Sequence, residues 1–497
     1  MQPDRLIPRP ATITALEGEF RVNDRVTVVR DRNGETAAAW LRERLGETID
    51  VSVAEPGEST PDPAIHFAAS EEPTGEAYRL TVSPAEIRIE GGRDGLFRGA
   101  VTLARLFENE AGAVGTSAPC CEITDEPAFP WRGLLLDCSR HFLSIDYLTH
   151  AVDLLADLGM NRLQLHFVDN QGWRMPIDTW PDLIGKGSCR MEGPGRTGSY
   201  SKTELRELVA YARRRHVEIV PEIEIPGHSF AAVTSYPDLC CTGRPEPNPG
   251  HSQDILCAGK ESTFQFLDDV LEEVTDIFPF EFVHLGGDEA PKNRWRECPA
   301  CRERIRREGL ADEEELQSYL FARAAALLRK RGRRAIGWEE ILDGNPEKDI
   351  VVHWWRYRQY GDRALREALA RGHQVIASPN RLCYLNFPVE PDEHFAEDRT
   401  TDLRRIYLGR YAPTDLSEAE RGLILGAQCC LWTEYCLEAQ ADAMLFPRIL
   451  ACAERMWSDP ADDDYAGFRS RVYSAENRWR RLGIRYGPAE RRSAPAP

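Results

Sequence analysis

Glu281-Phe282-Val283-His284-Leu285-Gly286-Gly287-Asp288-Glu289 is an apolar, strand-like run that breaks at two glycines and ends on two adjacent carboxylates. A carboxyl beside a second negative charge gives up its proton less readily, so one of the pair can stay protonated near neutral pH and act as a general acid. The two glycines relax the pleat, which lets Glu289 as well as Asp288 reach the same mouth.

Similar short runs occur on both sides of this one. Strand-like segments are predicted at 133–138, 162–168, 217–223, 281–285, 334–338, 350–355, 374–377 and 423–429, each followed by a helical pattern. Ser144 can cap a helix whose Leu148, Val152 and Leu155 share one face and which stops at Gly159, and 316–328 is amphipathic in the same way. Eight strands interleaved with helices from 126 to 460 predict an α/β fold, a (β/α)8 TIM barrel. Residues 1–125 read as a small α+β domain, with strands at 25–29, 78–82 and 86–90 and helices at 36–45 and 96–106. The prolines of Asp125-Glu126-Pro127-Ala128-Phe129-Pro130 mark the boundary. Residues 461–497 are expected to form one more helix and a disordered Pro/Ala tail.

Composition narrows the partners. The chain has 497 residues, 42% of them hydrophobic, and a net charge of −19. That charge argues against nucleic acid and anionic membrane, which require basic surfaces. No apolar run approaches the ~20 residues of a membrane helix, and Met1 to Pro10 lacks the apolar core of a secretory signal, so a cytoplasmic location is expected. The fourteen cysteines include adjacent pairs at 120–121, 240–241 and 429–430 and read as reduced core residues. Cys298-Pro299-Ala300-Cys301 has the spacing of two zinc ligands, but no second pair follows at suitable spacing, so neither metal nor cofactor is expected.

In a TIM barrel the residues just after each strand form the active site. Here those positions carry Asp169, Glu222 and Glu224, His228, Asp288 and Glu289, Trp338, Trp355, Tyr384 and Asn386, and Trp432 with Glu434. Alternation places Ile219, Ile223 and Ile225 toward the helices and turns Glu222 and Glu224 toward the barrel axis, and it puts His284 and Asp288 on one face. Indoles among carboxylates suit a carbohydrate, because rings pack on sugar C–H faces while carboxylates bind hydroxyls.

Five motifs, in order, resemble glycoside hydrolase family 20, the β-N-acetylhexosaminidases. They are Phe129-Pro130-Trp131-Arg132-Gly133, His166 to Arg174, Pro221 to His228, Gly286-Gly287-Asp288-Glu289 and Leu431-Trp432-Thr433-Glu434. The resemblance implies an exo-acting, retaining enzyme without a nucleophile of its own, in which the substrate's 2-acetamido oxygen attacks the anomeric carbon. It implies that Glu289 is the acid and then the base, and that Asp288 orients the acetamido group. Tyr384 would donate to the acetamido oxygen, with Trp338, Trp355 and Trp432 around it. Arg132 and Glu434 would hold ring hydroxyls, and Asp169 with His228 would form a relay to Glu289. The implied partner is an oligosaccharide or glycoconjugate ending in N-acetylhexosamine; the oligomeric state is left open. Where the family often has Asp this chain has Asn386, at a position tied to the choice between gluco and galacto epimers, and Glu224 stands where Asp is usual. Two other readings compete: a carbohydrate-binding relative without catalysis, and a metal-dependent barrel hydrolase using the same His, Asp and Glu residues.

Overall fold

The chain was analysed as a computed structural model that describes residues 3–58, 63–69, 75–109, 111–188, 193, 195–246, 253–458 and 463–491. The amino-terminal part is a seven-stranded sheet in the order β1-β7-β5-β6-β4-β2-β3. Its strands are β1 (Thr12–Arg21), β2 (Arg25–Val29), β3 (Asp50–Ala54), β4 (Ala64–Ala69), β5 (Tyr78–Val82), β6 (Glu86–Gly91) and β7 (Ser117–Asp125). The helices Glu35–Leu45 and Arg93–Leu106 bury Trp40, Leu41, Phe97 and Leu103 against it.

Eight parallel strands then close into a barrel in sequence order. They are β8 (Trp131–Asp137), β9 (Arg162–His166), β10 (Glu218–Glu222), β11 (Phe282–His284), β12 (Arg334–Trp338), β13 (Val351–Trp354), β14 (Val375–Ala377) and β15 (Ile424–Leu431). The TIM barrel predicted from the strand pattern is therefore the fold. Ser144 caps the helix Ile145–Asp157 by accepting from the Tyr147 amide, and Gly159 follows in the left-handed region at φ +68°, where glycine costs nothing.

The barrel interior is layered, as inward-facing residues of alternate strands require. Its floor is apolar: Trp131, Val220, Phe282, Ile336, Val351 and Ile376. Above it lies a polar belt in which Gln428 donates to Gln164 (2.7 Å) and Gln164 donates to Glu222 (2.9 Å). The top layer is aromatic, with Trp338, Tyr384, Phe387 and Trp432. A buried belt of this kind is tolerable only because its members satisfy one another.

The helix Tyr465–Arg481 is part of the junction between sheet and barrel. Its Arg478 donates to Glu108 of the sheet domain (2.8 Å) and to Asp157 of the barrel (3.0 Å). The proline- and alanine-containing tail expected to be disordered falls largely outside the described residues.

Candidate active site

The turn after β11 is built around its glycines. Gly286 and Gly287 have φ of +70° and +105°, and a Cβ on Gly286 would lie 1.6 Å from Glu224 Oε2. Only glycine lets this strand end pass so close to the Glu224 carboxyl. Two residues later Glu289 itself holds φ +47°, and His228, in the loop after β10, holds +46°. Left-handed conformations of residues other than glycine cost on the order of 1–3 kcal/mol and collect where the surroundings force them, often at functional sites.

Asp288 and Glu289 open onto a cavity of about 300 Å³ at the carboxyl-terminal ends of the strands, at the small end of the range for ligand sites. Trp355 and Tyr384 form parallel walls, 6.0 Å between ring centroids at 6°, while Trp432 is 6.0 Å from Trp338 and 6.1 Å from Tyr384. Buried carboxyls pin two of the indoles. Trp338 Nε1 donates to Glu222 (3.0 Å), and Trp355 Nε1 donates to Glu340 (3.1 Å). Arg140, Asn386 and Glu434 are among the other lining residues. Asp288 Oδ1 and Asn386 Oδ1 are buried without a protein partner.

A chain of alternating charges leads from the barrel interior to this mouth. His166 joins Glu222 (2.8 Å) to Asp169 (2.9 Å), and Asp169 accepts from His228 Nδ1 (3.1 Å). His228 Nε2 then lies 3.4 Å from Asp288 and 3.7 Å from Glu289. Burial alone would strip the proton from His166, but Glu222 and Asp169 more than offset it and raise the imidazole to about 9. His228 is likewise opposed by burial, yet Asp169 and Asp288 hold it well above the ordinary histidine range. Asp169 is kept well below the usual carboxylate range against its own burial by Arg140 and His228.

The other carboxyls move the opposite way. Burial, then Asp288 and Glu222, push Glu224 well above its ordinary value, and burial with Asp288 pushes Glu340 up to about 8. Glu289, at the rim and 60% exposed in its side chain, is raised by the pocket wall that partly covers it and then by Asp288. Of the adjacent pair, Glu289 is therefore placed to keep a proton, and Asp288 supplies the negative charge that helps it do so.

Comparison with known proteins identifies the family. Residues 129–460 match the catalytic domain of glycosyl hydrolase family 20 and residues 4–126 match its domain 2. The chain belongs to glycosyl hydrolase family 20. It is 36% identical over 507 residues to a beta-hexosaminidase of Porphyromonas gingivalis, a match covering 97% of this chain and 64% of that longer protein. Among solved structures, a beta-N-acetylhexosaminidase from Bacteroides fragilis superposes with a TM-score of 0.90 at 33% identity, covering 98% of this chain and 97% of its own. A mutant Streptomyces plicatus beta-hexosaminidase in complex with the product GlcNAc does so at 0.86 and 28%, covering 99% and 98%.

One residue carried over from the family-20 motifs is misplaced. Arg132 stands near the start of β8, at the floor of the barrel, fully buried and far from the strand ends. Its guanidinium donates to Glu76 of the sheet domain (2.6 Å), to the Gly159 carbonyl (2.7 Å) and to the Phe129 carbonyl (2.6 Å). Burial works against the Glu76 charge, but Arg132 and Arg98 together still lower that carboxyl to about 2. Arg132 thus fastens the sheet domain under the barrel. The arginine that lines the pocket beside Glu434 is Arg140, just past the carboxyl end of β8, 2.6 Å from Asp169, 3.2 Å from Asp137 and 4.0 Å from Glu434. Asp169, expected to form a relay with His228, is buried behind Arg140 and His228 and contacts both.

The two arginines should therefore respond differently to substitution. Arg132→Met leaves Glu76 with less compensation and is expected to cost about 3–5 kcal/mol of stability, seen as a lower Tm with KM unchanged. Arg140→Met is expected to raise KM or lower kcat/KM at least tenfold. A larger KM effect at Arg132 than at Arg140 would reverse the assignment.

His166, Glu222 and Glu224 form one compact donor group and His228, Asp288 and Glu289 another. In each, both imidazole nitrogens already face carboxylates: His166 those of Glu222 and Asp169, and His228 those of Asp169 and Asp288. A third group bears on the expectation of no metal site. Cys298 and Cys301 do have companions, Cys241 and Cys257, and the four sulfurs lie within 4.8 Å of one another. Every described cysteine is a free thiol.

Proposed function

We propose that the chain is an exo-acting, retaining β-N-acetylhexosaminidase that removes terminal non-reducing N-acetylhexosamine by substrate-assisted catalysis. The observation that carries this reading is an aromatic cavity of about 300 Å³ into which Asp288 and Glu289 open side by side, in a chain of a family whose known scheme is substrate-assisted. Glu224 and Glu340 are pushed toward their neutral forms by burial and by Asp288, which disfavours either as a carboxylate nucleophile.

In this reading the substrate ring enters between Trp355, Tyr384 and Trp432, and the Asp288 carboxylate accepts from the acetamido N–H. The acetamido oxygen, held by the Tyr384 hydroxyl, attacks the anomeric carbon as Glu289 gives its proton to the departing glycosidic oxygen. The resulting oxazolinium carries its positive charge beside Asp288. Glu289, now ionised, takes a proton from water, which opens the ring intermediate at the anomeric carbon. Two displacements on that carbon leave its configuration unchanged. Arg140 and Glu434, which both line the pocket, are disposed to bind ring hydroxyls, and the unpartnered Asn386 Oδ1 can accept from another. His228, charged and close to both Glu289 and Asp288, limits how far the acid is raised.

A panel of aryl β-glycosides tests the reading. N-acetylglucosaminide or N-acetylgalactosaminide is expected to be hydrolysed, and the glucoside lacking the acetamido group to be turned over at least 10³-fold more slowly, since it lacks the intramolecular nucleophile. Comparable turnover of the glucoside would exclude substrate assistance. The C4 epimer preference reports on the Asn386 region.

A further inference from the structure

The cysteine group lies outside the pocket and no catalytic step uses it. Cys257 Sγ is 3.5 Å from Cys301 Sγ and 3.8 Å from Cys298 Sγ, and Cys241 Sγ is 3.8 Å from Cys301 Sγ. Sulfurs at the corners of a tetrahedron, each about 2.3 Å from a central zinc ion, stand about 3.8 Å apart. A disulfide would bring one pair to about 2.05 Å. Four thiols crowded at this spacing gain little from one another, because the thiol is a weak donor and a weak acceptor.

The surrounding chain is shaped to bring the two halves together. Cys298 caps the helix Pro299–Glu308, with proline at its first position, so the sulfurs of Cys298 and Cys301 meet at the positive end of that helix, which favours thiolates. The other two come from the long excursion after β10, where a bridge between Cys240 and Leu256 aligns the neighbouring Cys241 and Cys257. Gly259 permits the contact between the halves: a Cβ there would lie 2.3 Å from the Ala300 carbonyl carbon and 2.4 Å from the Cys301 nitrogen. Lys260 Nζ holds the excursion by donating to the Asp238 and Cys240 carbonyls (2.8 and 2.7 Å).

We propose that Cys241, Cys257, Cys298 and Cys301 bind one zinc ion as a closed tetrathiolate. With all four positions filled by protein the ion has no place for water or substrate, so it is structural. It would link the loop that carries His228 to the loop that carries Asp288 and Glu289. Those loops already touch next to the cluster, where Trp295 Nε1 donates to the Leu256 carbonyl (3.0 Å), while the Leu256 amide ties its own excursion back to the Pro226 carbonyl near His228 (3.1 Å). Binding releases the remaining thiol protons to solvent and requires no oxidant.

The test uses the full chain, expressed without a metal-binding tag and purified with reductant and without chelator. Elemental analysis is expected to find about one zinc per chain. A Cys298→Ser/Cys301→Ser variant is expected to lose it, with Tm lower by about 5 °C, while Cys120→Ser in the sheet domain retains it. Because the double variant can fail to fold, the unmodified protein is also titrated with an organomercurial in the presence of a zinc-sensitive dye, where one zinc should appear as four thiols are blocked. Cobalt exchanged into the site should give a thiolate-to-metal charge-transfer band. Protein that holds less than about a tenth of an equivalent of zinc after incubation with zinc and reductant would overturn the proposal. So would peptide mapping that finds a disulfide within the four under those reducing conditions. Neither result bears on Asp288 and Glu289, so the site can fail while the glycosidase reading stands.

Discussion

Glu289→Gln is expected to lower kcat/KM on an N-acetylhexosamine disaccharide by about 10²- to 10⁴-fold, the usual contribution of a positioned general acid. The amide is nearly isosteric with the carboxyl and can still hydrogen-bond, but it has no proton to transfer. The same variant should lose much less on kcat/KM for a dinitrophenyl glycoside, whose leaving group departs as a stable anion without protonation. The pH dependence follows from the direction of the Glu289 shift. Its carboxyl is raised by partial burial and by Asp288, so the active, protonated form persists to higher pH than for an ordinary glutamate. Activity of the wild type should then decline as pH rises through that raised value, and the alkaline limb should disappear from kcat/KM of Glu289→Gln. Equal losses on the two substrates, or an unchanged alkaline limb, would remove Glu289 from the role of acid.

The barrel could be read from the sequence because each strand is a short apolar run with chemistry at its end. The inward aim of Glu222 and Glu224 followed from alternation alone, and both are buried at the axis. The sheet domain was harder. β1 is a largely exposed strand whose register breaks between Ala15 and Glu19, which erases its period. β7 carries Pro119 and the Cys120-Cys121 pair, which do not read as a strand. Arg132 was misplaced because a motif was carried over without regard to strand direction. The rule that selects residues after a strand excludes Arg132 and selects Arg140, three residues beyond the last residue of β8. Glu340 is adjacent to Glu339, and no spacing argument separates them. Only the structure shows Glu339 taken by Arg356 (2.7 Å) and Glu340 facing Trp355. The cysteine group was missed for a related reason: its second half comes from two residues separated by a loop excursion, and ligand spacing in sequence detects only the half that is local.

Asp288→Asn separates charge from shape in the pocket. The oxazolinium puts positive charge where only the carboxylate, not the amide, can balance it, so the interaction strengthens toward the transition state and its loss should appear mainly in kcat. A fall of about 10²- to 10³-fold is expected, the range for removing one preorganised electrostatic group. In contrast to Glu289→Gln, the loss should be similar for disaccharide and dinitrophenyl substrates, since the same oxazolinium charge develops beside Asp288 as either leaving group departs. The substitution also acts on neighbours. Asp288 is among the causes that raise Glu289, Glu224 and Glu340, so without its charge all three should give up their protons at lower pH. For Glu289 this moves the alkaline limb of kcat/KM toward acid. For Glu340, held at about 8 in the wild type mainly by burial and then by Asp288, it lowers the pH at which the wall beside Trp355 gains a negative charge. The residual activity of Asp288→Asn should therefore be distributed over a lower pH range than that of the wild type. Near wild-type kcat, or an alkaline limb that moves toward base, would mean that Asp288 neither balances the intermediate nor sets the acid. The substrate-assisted assignment would then fail with it.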